Sequence, residues 1–413
     1  MNGSCHVRFG INSRHSLELP LDSLISQCGI PRGESLDDPV AAVAASLVDP
    51  LDFPPLVESI VPGDHVVLAV DQGVPQSAAV VAGIVQTLVD GRVTAENIEI
   101  ILAPGHPLAN EIKYFLPSEL ANLIRVTVHD PHDQNQLSYL AATNDGDPIY
   151  INRSIVDADV AIPVGCVRPT GTYGNPGVHG GVFPVFADAK THERFSNPER
   201  YHEQRWLDRQ RNEASEAAWL LGARFTVQII PGAAAGLLHI LSGDVDSVVD
   251  RAGSLSKKAW DCPAPSRAEL VVATVEGDAD QQTWENLGRA LHAATNLVEE
   301  SGAIVVCCDL KSSPGPALMQ IIGAVDLEEA EVAISRNRFG DGLPASQLVS
   351  TLRHARVYLW SDLDPATVEE LWVAPVNGVK EVYNLCSRSR SFIVLENSQY
   401  AVPYLAGQTV KSN

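Results

Sequence analysis

Apolar residues fall along this chain in short blocks, each closed by a turn rich in Gly, Pro, His or Asp. Val66–Ala69 ends at Asp71, Ile98–Leu102 ends at Ala103-Pro104-Gly105-His106, and Ile124–Val128 ends at His129-Asp130. Blocks that are apolar without alternation suit strands buried on both faces of a parallel sheet. Helical segments lie between and before them. DPVAAVAASLVDP starts at Asp38 with an Asp-Pro cap and first turn and stops at Pro50, and Ser77–Asp90 is a second helix of small and branched residues. Strands alternating with helices predict an α/β fold with mostly parallel sheets. Asp71, His106 and His129-Asp130 then fall along one sheet edge.

A further strand, Val160–Val164, opens a loop with glycines at 165, 171, 174, 177, 180 and 181 and prolines at 169, 176 and 184. Glycine lets main chain approach a ligand closely, and open α/β sheets place ligands beyond their strand ends, so the stretch Ile162–Ser196 predicts a pocket wall. Arg168, Tyr173, His179, Lys190, His192 and Arg194 lie on or beside it. The charged segment Glu199–Arg211 reads as an exposed helix or lid. Composition shifts at Ser256–Pro265 (SKKAWDCPAP), which divides the chain into domain 1–255, linker 256–265 and domain 266–413. The second domain repeats the rhythm, with helix Trp284–Glu299, strand Ala303–Cys308 and strand Arg356–Trp360. Two α/β domains with a cleft between them are expected.

The chain has 413 residues, 45% hydrophobic and 19% charged, and a formal net charge of -22 from 51 acidic and 29 basic side chains. Such an excess of carboxylates argues against nucleic acid or an anionic membrane as partner, while a local basic pocket for a carboxylate or phosphate stays compatible with it. Seven cysteines without a CxxC spacing indicate neither a disulfide framework nor a zinc site and suit the cytoplasm. MNGSCHVRFG carries no signal-peptide core, and no apolar run approaches the roughly 20 residues of a membrane helix. GxSxG, HExxH and an early GxGxxG are missing, which removes the main support for serine hydrolases, zinc proteases and Rossmann dehydrogenases.

Candidate chemistry sits at the strand ends. His106, in APGHP, suits a general base near neutral pH. HDPHD (129–133) offers imidazoles and carboxylates without an established ligand spacing, and a metal enzyme built on His129 and His132 is a weaker option. Glu285 and Arg289 in TWENLGRAL share a helix face, and Arg289 suits a carboxylate clamp. Lys311–Gly315 lies between a strand and a helix, where backbone N–H groups could hold an anion.

Taken together, Asp71 with Pro75, Gly105-His106-Pro107, His129-Asp130, TNDGDPIYINRSIVDADVAIPVG, the glycine loop to Pro184 and TWENLGRAL resemble the nickel-pincer lactate racemase family in order and spacing. The resemblance implies two α/β domains, an active site in the cleft between them, and a nickel-pincer nucleotide tethered through a lysine with a histidine as protein ligand. It implies isomerase chemistry on a 2-hydroxy acid by hydride transfer to the pincer. On this sequence His106 falls on one catalytic histidine and Asp71 on the first residue of the DxTRP motif, with Val74 where its arginine stands. Thr170 takes the second histidine's place, Gly180 the tethering lysine's, and Ser196 the nickel histidine's. Arg289 falls where the second domain offers a lysine. The expected assignment is therefore His106, Asp71 and Arg289 as catalytic residues. Gly174, Gly177, Gly180, Gly181, His129 and Asp130 fall around the cofactor, with His179 and His192 as substitute metal ligands and Lys190 as a substitute amine. The alternative is a non-catalytic relative that binds a small acid or nucleotide in the same cleft.

Overall fold

A computed structural model describes residues 4–106, 112–143, 146–169, 177–196, 204–336 and 340–407. Val66–Val70 and Ile98–Leu102 are buried at every position, and both lie inside a six-stranded sheet. Its order is Leu237–Asp244, Phe225–Pro231, Val160–Cys166, Val66–Val70, Ile98–Leu102, Arg125–Val128. All its pairs are parallel except the terminal hairpin of Phe225–Pro231 with Leu237–Asp244. Side chains alternate between two cores. Val66, Leu68 and Val70 face the layer holding helix Ser77–Asp90, while Val67 and Ala69 meet Ile149, Phe183, Phe186 and Ala214 on the other side. Burial on both faces is why these strands show no polar alternation.

The helix read from Asp38-Pro39 runs Pro39–Val48, and the Asp38 carboxylate accepts the Ala41 N–H at 3.0 Å. Such a cap contributes about 1 kcal/mol. Register levels the strand ends: Asp71 N donates to Val164 O, Ala103 N to Val70 O and His129 N to Leu102 O, each at 2.9 Å. The turns after these strands therefore share one edge of the sheet.

A second sheet is parallel throughout, in the order Ala374–Pro375, Arg356–Trp360, Val298–Cys307, Ala268–Thr274, Phe392–Leu395, Leu24–Cys28. Leu287, Leu291, Leu318, Ile321 and Leu348 cover one face from their helices. The hairpin Ser4–Ile11 with His15–Pro20 and the helix Val379–Arg388 cover the other, through Val7, Phe9, Leu17, Leu19 and Val382. Of residues 4–28, expected with the first domain, Leu24–Cys28 thus pairs into the second sheet, while the hairpin packs on its face and meets Glu276–Gly277 at its Gly10-Ile11 end. The one-sided apolar alternation of these residues is legible in the sequence, but a parallel partner at Phe392–Leu395 leaves no local mark.

The expected linker 256–265 is regular structure over most of its length. The helix Val245–Trp260 runs through its first half, and Asp261–Ala264 then pairs with Val402–Leu405. Lys257 and Lys258 occupy the helix's last turn, where cations suit the exposed carbonyl ends. Ser256, Ala259 and Trp260 are buried there.

Candidate functional site

Turns from both sheets meet around a cavity of about 170 Å³. The first sheet contributes Asp71, Gln72 and Gly73, then Cys166 and Arg168, and the glycine loop adds Gly177 and Val185. Asp280, Thr283, Glu285, Asn286 and Arg289 close it from the second half. Space of this size suits a small organic anion, a liquid water claiming about 30 Å³.

Each charged wall residue has a local reason for its place. Asp71 follows the strand Val66–Val70 directly, and its Oδ1 accepts the Gln72 N–H at 2.7 Å. Gly73 has φ 78°, and a Cβ there would come within 3.2 Å of Arg168 Nη2. Glycine thus meets both the backbone angle and the close approach. Arg168 lies two residues past the strand Val160–Cys166, with its Cζ 5.3 Å from the centre of the Tyr400 ring. That distance gives a cation–π contact. Thr283 caps the helix Trp284–Thr295 by accepting the Asn286 N–H at 3.2 Å. One turn along, Arg289 Nη1 donates to Asn286 Oδ1 at 2.7 Å.

Burial in the cleft raises the Asp71 carboxyl to about 6, against the opposing pull of the Gln72 N–H and of the Arg168 and Arg289 guanidiniums. Burial raises the Cys166 thiol to about 11, so it is a neutral wall group at pH 7. Two guanidiniums beside a carboxyl that titrates near neutrality can hold a small carboxylate and exchange a proton with it.

Asp71, Arg289 and Gly177 therefore share one cavity. His106 sits buried at the neighbouring strand end, its N–H donating to Ala103 O at 3.1 Å, and is not among the residues lining that cavity. Burial lowers its imidazole to about 4, which keeps it neutral at pH 7. His129 is buried too, with Nε2 2.8 Å from Ala187 O and Nδ1 3.1 Å from the Asn152 amide nitrogen. Asp130 Oδ1 accepts the His132 N–H at 2.9 Å and Asp133 Oδ1 the Asn135 N–H at 2.9 Å, so both acids shape this exposed turn. Gly180 and Gly181 are buried in the short turn Val178–Gly181, and Gly174 and Thr170 lie outside the described residues.

The two substitute metal ligands face different neighbours. His179 lies near Asp246, at the start of the helix Val245–Trp260. Burial, joined by the nearby His129, lowers His192 to about 4. Lys190 is exposed on the short helix Ala189–Phe195. Among the described residues no three His, Cys, Asp or Glu side chains gather as a ligand set. Gly180 offers no amine, and Ser196 is a poor nickel donor beside imidazole. Among the described residues the donor set does not fit a tethered nickel-pincer nucleotide.

The anion site expected at Lys311–Gly315 is filled by the chain's own carboxylate. Asp341 accepts the Ala317 N–H at 2.9 Å and the Leu318 N–H at 3.2 Å, occupying the start of the helix Pro316–Gly323. Conversely, nothing in the local sequence pattern assigns a site role to Cys166, Asn286, Gln281 or Tyr400. One signal is present: Asn397-Ser398-Gln399-Tyr400 is a polar run one residue past the buried strand Phe392–Leu395, and all four residues are buried.

Residues 12–199 match the model of the lactate racemase N-terminal domain family. No curated protein sequence matches the chain. The fold is similar to the lactate racemase apoprotein from Thermoanaerobacterium thermosaccharolyticum at 14% identity, with 97% of this chain and 99% of that one covered and a TM-score of 0.78. It is also similar to a structural-genomics protein from Thermotoga maritima at 15% identity, covering 89% of this chain and 99% of that one, with a TM-score of 0.67. The two-domain α/β architecture is thus shared along nearly the whole chain, and residues 12–199 carry the match to the lactate racemase N-terminal domain.

Proposed function

We propose that the cleft binds a small 2-hydroxy acid, its carboxylate held between Arg168 and Arg289 and its hydroxyl directed to Asp71. The observation that carries this reading is the meeting of these three side chains, from opposite sheets, on one cavity. Two guanidiniums supply planar donors to a carboxylate, and an Asp near its titration point is a suitable partner for a hydroxyl. The reading is of a binding protein, such as a sensor or carrier of the acid, because Gly180, Ser196 and the separated imidazoles do not supply the family's nickel donors. Seven free thiols suit a reducing cytoplasmic setting.

Isomerase activity on the same acid is the second reading, favoured by the match to the lactate racemase N-terminal domain and by the proton-exchanging carboxyl of Asp71. One experiment separates the two. D- and L-lactate and longer 2-hydroxy acids are titrated by calorimetry, and the recovered acids are resolved by chiral chromatography. The protein is produced with and without the enzymes that make the pincer nucleotide. Saturable binding without interconversion or stoichiometric nickel is the expected result. Interconversion establishes the isomerase, and absence of binding to every acid overturns both readings.

A further inference from the structure

We infer that Gln281 and Tyr400 are positioning residues that set the spacing of the two guanidiniums and tie them to the turn beside Asp71. The inference deepens the acid-binding reading and rests on it. Gln281 is fully buried and Tyr400 nearly so, and the Tyr400 hydroxyl donates to Gln281 Oε1 at 2.5 Å. From that pair the contacts run three ways. The Tyr400 ring lies under Arg168, at 5.3 Å from Cζ. Gln281 O accepts from Asn286 Nδ2 at 2.8 Å, and Asn286 Oδ1 accepts from Arg289 Nη1 at 2.7 Å. Gln281 Nε2 donates across the cleft to Gly73 O at 3.2 Å, two residues from Asp71.

Each arm ends on a different wall of the cavity, and all meet at Gln281: its side-chain amide takes the Tyr400 and Gly73 arms, and Asn286 Nδ2 reaches its main-chain O at 2.8 Å and its Oε1 at 3.3 Å. A glutamine is needed because it accepts at one terminal atom and donates at the other. Leucine would fill much of the same volume and do neither. Buried polar networks of this kind specify a unique arrangement when every member is partnered. Tyr400 is itself anchored: Ser398 Oγ donates to Thr274 O at 2.8 Å and Gln399 Nε2 to Glu276 O at 2.6 Å. The polar run after Phe392–Leu395 is thus the second sheet's means of reaching the arginines.

Two variants of the full chain test this, Tyr400→Phe and Gln281→Leu. Tyr400→Phe keeps the ring under Arg168 and removes only the hydroxyl. L-lactate is the binding probe. The ligand-free readout is the titration midpoint of Asp71, followed by carboxyl 13C NMR and assigned with Asp71→Asn. Cys166, Asp280, Glu285 and the two arginines are the other ionisable groups facing it. In both variants lactate affinity is expected to fall at least fivefold, and the Asp71 midpoint to rise by half a unit or more as the guanidiniums drift. A merely structural role would lower the melting temperature and leave that midpoint in place. Unchanged affinity and midpoint in Tyr400→Phe would overturn the inference, even where Gln281→Leu does not accumulate. Wild-type protein that binds no lactate counts against the acid-binding reading instead, and the Asp71 midpoint alone then decides the positioning role.

Discussion

Replacing Asp71 by Asn gives a stability change whose sign and pH window follow from the cleft. Burial lifts the carboxyl from its usual 3.8 to about 6, so the folded chain holds a proton that the unfolded chain releases. Stability that depends on this proton is fully present below the unfolded value, falls as pH rises through the window from about 4 to 6, and is lost above it. A shift of roughly two pH units at about 1.36 kcal/mol each costs the wild type about 3 kcal/mol at pH 7.5. Asparagine keeps the shape and the acceptor for the Gln72 N–H and carries no charge. Asp71→Asn is therefore expected to be more stable than wild type by about 1–3 kcal/mol at pH 7.5. The advantage should shrink through pH 5 and nearly vanish by pH 4. Urea unfolding followed by tryptophan fluorescence at those three pH values measures the gap. A gap independent of pH, or a variant less stable than wild type at pH 7.5, would refute the reasoning. The same variant should bind lactate without the wild type's pH dependence between 5 and 7.

Three other expectations follow from named contacts. Arg168→Gln and Arg289→Gln should each weaken lactate binding about 10- to 100-fold by calorimetry, since a charge-assisted hydrogen bond contributes about 1.5–3 kcal/mol; loss from only one of them would break the shared clamp. Arg194 grips Glu213 with two parallel bonds, Nη1–Oε2 at 2.6 Å and Nη2–Oε1 at 2.5 Å, and Glu213 is buried. Glu213→Ala leaves the guanidinium without its partner and should cost about 2–4 kcal/mol in urea unfolding, with a cost under about 0.5 kcal/mol contradicting the assignment. Asp341→Ala uncaps the helix Pro316–Gly323 and should cost about 1 kcal/mol, partly recovered by added sulfate as an anion takes the vacated N–H groups.

The fold was legible where burial is two-sided or a helix start carries its own cap. Val66–Val70, Ile98–Leu102 and Asp38-Pro39 declare themselves locally, and so do the strand-end turns that bring Asp71 to the cleft. Arg289 was reachable because a four-residue spacing puts it on one helix face with Glu285. What local pattern could not carry is long-range pairing. Leu24–Cys28 joins Phe392–Leu395 across most of the chain, and no periodicity marks such a partner. The histidines misled for a related reason: an imidazole after a strand looks the same whether it faces a ligand or, as His129 does, a backbone carbonyl and an asparagine. From sequence Arg168 is only a neighbour of the glycine loop, because its significance depends on Tyr400, far away in sequence and adjacent in space.

The most direct test of the central claim is a crystal structure of the wild-type chain soaked with a 2-hydroxy acid at a concentration that saturates the calorimetric signal. The account predicts the acid's carboxylate between the Arg168 and Arg289 guanidiniums and its hydroxyl within hydrogen-bond distance of Asp71. An acid bound elsewhere, or a cleft that stays closed to it at saturation, would contradict the account.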